Sequence, residues 1–333
     1  MTLMSSSVLK AAGAAAVAAL IAAPAAAQQT YKWDMPTPYS DKEFMTQNVH
    51  MFVADLARIT GGRMSITVHS GNSLIKNPEI KRAVQLKQVP IAELFISNLS
   101  REDPVFEIDA IPFFAANYPA ALKLYQVTRP IMQEKLNKQG LQLLYAVPWP
   151  SQAFYTKEPV NSIADLKGKK MRAYNEQTSR LAELMNTVPT TVQATEIPQA
   201  FSTGIIDAMF TSAQTGVTYK SWDFTNYVYN TQAWVPKNVV FMNKEVYDGL
   251  PDDIKAAIAQ AAATAEVRGW MLSIESDIKK PQELAAAGMK VQNIEGKVAE
   301  ELKAIGEKML ENWLKKAGDE GKAIVEAYRA IKY

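Results

Sequence analysis

Arg172 lies in the run NSIADLKGKKMRAYN, residues 161–175, between Met171 and Ala173. If the segment after Gly168 is a strand, alternation sends Met171 and Ala173 to one face and Lys170, Arg172 and Tyr174 to the other. Lys169, Lys170 and Arg172 form a small basic run of the kind ordinarily found in water. The pattern alone leaves open whether Arg172 does anything more.

Other candidate chemistry is sparse. The chain has two histidines, His50 within a helical pattern and His69 near the end of a strand pattern, neither in an H-E-x-x-H spacing. Both read as structural or surface residues. No G-x-S-x-G elbow, P-loop or G-x-G-x-x-G fingerprint is present, and Gly61-Gly62 ends a helix instead of opening one. The pairs Glu102-Asp103 and Asp252-Asp253 read as solvated turns and helix starts; carboxylate-pair glycosidase chemistry has no positive support. Without cysteine, thiolate nucleophiles and thiolate metal sites are excluded, and no metal or cofactor is expected.

The elements that must position these residues alternate. QTYKWDMPTP reads as a strand and KEFMTQNVHMFVADLARITGG as a helix with Phe44, Val49, Phe52, Val53, Leu56 and Ile59 at helical spacing. RMSITVHS, NPEIKRAVQLKQ and VPIAELFIS follow as strand, helix and strand. Such alternation predicts a parallel α/β sheet whose ligands gather at the carboxyl ends of the strands, so the loops at 35–40, 70–74 and 97–100 should border one cleft. LQLLYAVPWPSQAFYTK reads as one long strand able to cross between lobes, with the alternation repeating beyond it as MRAYN, EQTSRLAELMNT, TTVQAT, EIPQAFSTG and IIDAMFTS. WVPKNVVFMNK returns the chain, and a helix of over 30 residues from Pro251 to Gly288 can brace both lobes. Two amphipathic helices separated near Gly318 complete the chain. The expected class is a two-lobed α/β binding-protein fold with a cleft, hinge strands and a long bracing helix. Lobe I is expected at 28–150 plus about 236–280, and lobe II at 151–235 plus about 281–333.

Residues 1–27 read as a signal peptide, an Ala-rich run ending in Ala25-Ala26-Ala27, with cleavage after Ala27. No second segment has the length and apolarity of a membrane span, so export to the periplasm as a soluble protein is expected. Thirty-six basic against 34 acidic residues argue against nucleic acid as a partner. An exported, neutral, two-lobed chain without a recognisable catalytic group matches what a periplasmic binding protein requires, with hinge closure as its mechanism.

NSIADLKGKKMRAYN, followed by VPTTVQATEIPQAFSTGIIDAMFTS, resembles the solute-binding proteins of TRAP transporters, the DctP-like family. Asp165, Leu166, Lys167, Gly168, Lys170, Arg172, Pro189, Glu196, Ala200, Gly204 and Asp207 carry the likeness, and GNSLIKNPEIKRAVQLKQVPIAEL extends it. The resemblance implies that Arg172 grips a ligand carboxylate with two parallel donors, a geometry that a lysine does not offer. It also implies delivery to TRAP membrane subunits, with no enzyme activity and no ATP site. A second arginine frequent in the family falls on Gln152, and the asparagine of its DGxxN run falls on Thr211. A substituted monocarboxylate, hydroxy, oxo, aromatic or sugar acid, is therefore expected ahead of a C4-dicarboxylate. Tyr39, Trp149, Phe154, Tyr174 and Trp234 are candidate flat walls, and Ser97, Asn98, Asn175 and Ser212 are candidate polar contacts at strand ends. The alternatives are a binding protein that reports to a signalling partner and a periplasmic hydrolase of carboxylated substrates.

Overall fold

The computed structural model describes residues 29–332. The expected signal peptide and its cleavage after Ala27 lie outside the described residues. Among the described residues, no helix is long and apolar enough to cross a membrane.

The first part of the chain builds β1 (Tyr31–Pro36), α1 (Phe44–Ile59), β2 (Met64–His69), α2 (Ile80–Gln85), β3 (Ile91–Phe95), α3 (Tyr118–Lys138) and β4 (Leu141–Pro148). β1 and β2 pair in parallel, and α1 between them buries Phe44, Val49, Phe52 and Leu56, the helical spacing seen in the sequence. Gly61 and Gly62 end that helix at positive φ, where a side chain would be strained. β3 is buried throughout, covered on both faces although it ends its sheet.

The second part builds β5 (Gln152–Thr156), β6 (Lys170–Ala173), α4 (Glu176–Leu184), β7 (Val188–Thr191), α5 (Ile197–Ser202), β8 (Ala208–Ser212), α6 (Ala213–Thr218) and β9 (Tyr227–Asn230). β10 (Lys237–Asn243) then returns and inserts between β3 and β4. α7 (Lys244–Asp248), α8 (Asp252–Ala286), β11 (Lys290–Asn293) and α9 (Gly296–Ala330) follow. The larger sheet has the order β11-β9-β5-β8-β6-β7.

Three expectations are corrected. The sheets are not all parallel: β10 runs antiparallel to β3 and β4, and β5 antiparallel to β8 and β9. Strands that enter a lobe from the other lobe run against the strands built by local crossovers. The long crossing strand is two strands, because Pro148 and Pro150 each remove a ladder donor around Trp149. The strand expected over TTVQAT starts at Val188 and ends at Thr191, since Gln193 and Glu196 cap each other reciprocally and wind the next residues into a helical turn.

The two crossings, 148–151 and 231–236, are hydrogen-bonded to one another: Trp149 N donates to Pro236 O (2.7 Å) and Gln152 N to Trp234 O (3.0 Å). α8 is one unbroken helix of 35 residues despite Pro281. It packs on α1 and β4 at one end and on α6 and β11 at the other, and its Asp277 accepts from Ser151 N in the crossing (3.0 Å). Close approach to Val147 and Asn48 leaves no room for a side chain at Gly269. α9 breaks at Gly318, whose backbone is non-helical, as the sequence predicts.

Candidate functional site

β6 delivers the key side chain. Met171 and Ala173 point into one layer of core, and β6 pairs with β7 and β8, so Arg172 emerges on the opposite face. It is only 4% exposed. Its Nε donates to Val192 O (3.0 Å), and its guanidinium carbon stands 4.9 Å from the centre of the Tyr174 ring. No carboxylate among the described residues pairs with the remaining guanidinium donors. Burial pulls its pKa down to about 10, with Tyr174 and other nearby groups opposing the fall, so it stays charged at neutral pH.

Those donors face a cavity of about 60 Å³. At roughly 10–15 Å³ for each water centre, this holds on the order of five waters, the space of a small organic acid. Tyr39, Asn98, Trp149, Gln152, Arg172, Tyr174, Thr211 and Ser212, all expected from the sequence, line it together with Asn77, Phe95, Gln193, Ala194 and Thr215, which the sequence reading missed. Arg172 is the only cation in that lining.

The aromatic walls are locked in place. Tyr39 meets Trp149 edge to face with ring centres 4.9 Å apart, and Tyr174 meets Phe95 likewise at 5.7 Å. Trp149 Nε1 donates to Asn238 Oδ1 (2.8 Å), and Tyr39 Oη donates to the same oxygen (3.2 Å). Asn238 Nδ2 donates to the buried Glu93 (3.0 Å), which also accepts from Thr37 Oγ1 (2.5 Å). Gln152 Nε2 donates to Pro150 O (2.9 Å), leaving its carbonyl toward Tyr174 Oη (3.5 Å).

Four expected residues lie elsewhere. Phe154 stacks on Phe210 in the core, one strand repeat beyond Gln152 and therefore deeper in the sheet. Trp234 packs beside Phe210 in the same core and reaches the vicinity of Tyr174 without a hydrogen bond of ordinary geometry from its indole N–H. Ser97 and Asn175 bond one another at the rim (2.7 Å), where Asn175 also caps α4. The loop at 70–74 stands behind the wall: Asn72 Oδ1 accepts from Asn77 N (2.9 Å) and so holds Asn77 in the lining.

Rim contacts close the two lobes on each other. Asn77 Nδ2 donates to Gln193 Oε1 (2.9 Å), and Arg101 pairs with Glu176 (3.1 Å). The smaller cavity adjoins a groove of about 860 Å³, which shares Asn77, Asn98, Tyr174 and Gln193 with it.

Glu43 was not singled out in the sequence. It is fully buried ahead of α1 and faces α6, and burial raises its pKa to about 7. Thr218, Gln214 and Thr215 approach and partly oppose that rise, yet none reaches it with ordinary hydrogen-bond geometry. His50 and His69 both sit at exposed pairs, with Asp41 (2.9 Å) and Asp34 (2.6 Å).

Residues 37–317 match the model of the bacterial extracellular solute-binding proteins, family 7. The chain belongs to this family. It is an extracytoplasmic solute receptor of the kind that the TRAP resemblance implied, with the two-lobed fold of its structural relatives. An extracytoplasmic solute receptor of Bordetella pertussis, described as binding pyroglutamic acid, is 44% identical with a TM-score of 0.89, over 90% of this chain and all of that one. A TRAP solute-binding protein from a marine metagenome, described as specific for pyroglutamate, is 39% identical with a TM-score of 0.89, over 91% of this chain and all of that one. The C4-dicarboxylate-binding periplasmic protein of Rhodobacter capsulatus is 24% identical over 69% of this chain and 70% of its own length.

Proposed function

We propose that this protein captures a compact cyclic monocarboxylate, with pyroglutamate the best-supported ligand, and delivers it to TRAP membrane subunits. The observation that carries the reading is a buried guanidinium with no carboxylate partner, facing a small aromatic-walled cavity in which it is the sole cation. A ligand carboxylate would supply two charge-assisted hydrogen bonds there. The second carboxylate of a C4-dicarboxylate would enter without a cation of its own, an arrangement that costs desolvation. The similarity to receptors described as binding pyroglutamate points the same way.

Receptor function also fits better than a hydrolase. The lining holds no histidine or carboxylate to act as a base for Thr211, Ser212 or Thr215, and Glu43, which approaches Thr215 from outside the lining, makes no ordinary hydrogen bond to it. On this reading the signal peptide is removed near Ala27, and the mature protein works in the periplasm. The proposed lobes are 28–150 with about 236–280, and 151–235 with about 281–333, with α8 spanning both.

Calorimetry with pyroglutamate, succinate and glucuronate tests the reading. Tight binding of pyroglutamate and at least a hundredfold weaker binding of the other two is expected. Preference for succinate would overturn it.

A further inference from the structure

The hydrogen-bond roles on the Tyr39 and Trp149 wall follow from donor and acceptor chemistry without sight of any hydrogen. An indole N–H can only donate, so the atom 2.8 Å from Trp149 Nε1 must be the oxygen of the Asn238 amide and not its nitrogen. The amide nitrogen then turns to Glu93, 3.0 Å away, whose carboxylate accepts it. Tyr39 Oη lies 3.2 Å from the same amide oxygen, which has no hydrogen to give, so the phenol is the donor of that pair. Its single proton is thereby directed away from the cavity, and the phenolic oxygen can meet a ligand only with lone pairs. Burial first, and then the nearby Glu93 charge, keep this phenol protonated.

We infer that Tyr39 is a specificity-determining hydrogen-bond acceptor that selects ligands carrying an N–H next to the carbon that bears the carboxylate. Asn238 and Glu93 act through it as positioning residues. The inference rests on the proposed pyroglutamate reading and extends it to the ring nitrogen. Tyr39 and Arg172 line the same small cavity and lie near enough to act on each other electrostatically, so a carboxylate held by Arg172 leaves the adjoining ring atom within reach of Tyr39. A lactam offers N–H at that atom. The matching γ-lactone carboxylate offers an oxygen, which would confront the phenolic oxygen lone pair to lone pair. Tyr39 cannot answer by reversing its proton unless it abandons Asn238, and a site built around one role rejects the analogue that lacks the partner.

The test is calorimetry with both compounds on the wild-type protein, Tyr39→Phe and Asn238→Ala. The wild type should bind the lactam at least tenfold more tightly than the lactone. In Tyr39→Phe this ratio should fall to within about threefold, the usual scale of one lost neutral hydrogen bond being near tenfold. In Asn238→Ala the freed phenol can turn its proton outward, so lactone binding should improve relative to the lactam. A purely structural role for either residue would weaken both ligands by the same factor and keep the ratio, which would overturn the assignment. Equal binding of the two compounds by the wild type would also overturn it, with no variant needed, and would leave the proposed ligand standing. Binding of neither compound would remove both this inference and the pyroglutamate reading.

Discussion

Replacing Arg172 with methionine should separate ligand affinity from stability, because the two respond in opposite directions. In the ligand-bound cleft the guanidinium is expected to hold a carboxylate by two charge-assisted bonds. Truncating one partner of such a buried pair costs roughly 2–5 kcal/mol, so Kd should rise about thirtyfold to several thousandfold. Without ligand the same guanidinium is buried and unpaired, and burial has lowered its pKa from 12.5 to about 10. At 1.36 kcal/mol per pH unit, this marks a strain of up to about 3 kcal/mol, which the substitution relieves. Against that gain stands the Val192 carbonyl, which loses the Nε donor at a cost of about 1 kcal/mol. The ligand-free variant should therefore melt no lower than the wild type, while the rise in Tm on adding pyroglutamate disappears. Calorimetry gives the first quantity, and thermal melting with and without ligand gives the second. A Kd within threefold of wild type would refute the anchor role. A ligand-free Tm lower by many degrees would show instead that Arg172 is a structural residue, and Arg172→Lys should restore binding only in part.

Asn77→Ala removes the rim bond to Gln193; Kd should rise about threefold to tenfold through faster dissociation, read by stopped-flow fluorescence. Burial raises the pKa of Glu43 from 4.5 to about 7 and of Asp277 from 3.8 to about 6, so the folded protein takes up these protons before the unfolded chain does. Their stabilising contribution is complete below about pH 4 and is lost as pH rises through 6 to 7, so Tm should be higher at pH 5 than at pH 8, and Glu43→Gln should flatten that difference in calorimetric melts. Gly216→Ala places a methyl group against the buried Tyr155 hydroxyl and should cost about 1–3 kcal/mol, seen as a lower urea midpoint with an unchanged slope.

The residues most legible in the sequence were those where a period and a chemical oddity coincided. Arg172 between Met171 and Ala173 stood out because a strand period of two must send a charge and two apolar residues to opposite faces. Trp149 stood out through Pro148 and Pro150, which mark the crossing that places it at the cavity. Phe154 shares its face of β5 with Gln152, and only distance along the strand separates core from cavity; alternation does not encode that depth. Phe95 ends a strand buried on both faces, so no alternation flags it. Asn77 and Gln193 start short helical turns and read as ordinary capping residues, and their meeting across the rim depends on how two lobes face each other. Glu43 follows Asp41 and Lys42 and so reads as one more surface charge, although α6 covers it completely.

Trp149 and Gln152 sit on one of the two hydrogen-bonded segments by which the chain passes from lobe to lobe. The floor of the cavity is thus also the fulcrum. On the proposed lobe assignment an occupant resting there bears on the crossing segments, whereas Asn77 and Gln193 join the lobes directly through their side chains. Grip at the fulcrum and purchase between the lobes are consequently separable: the first decides which molecule is kept, and the second decides how long.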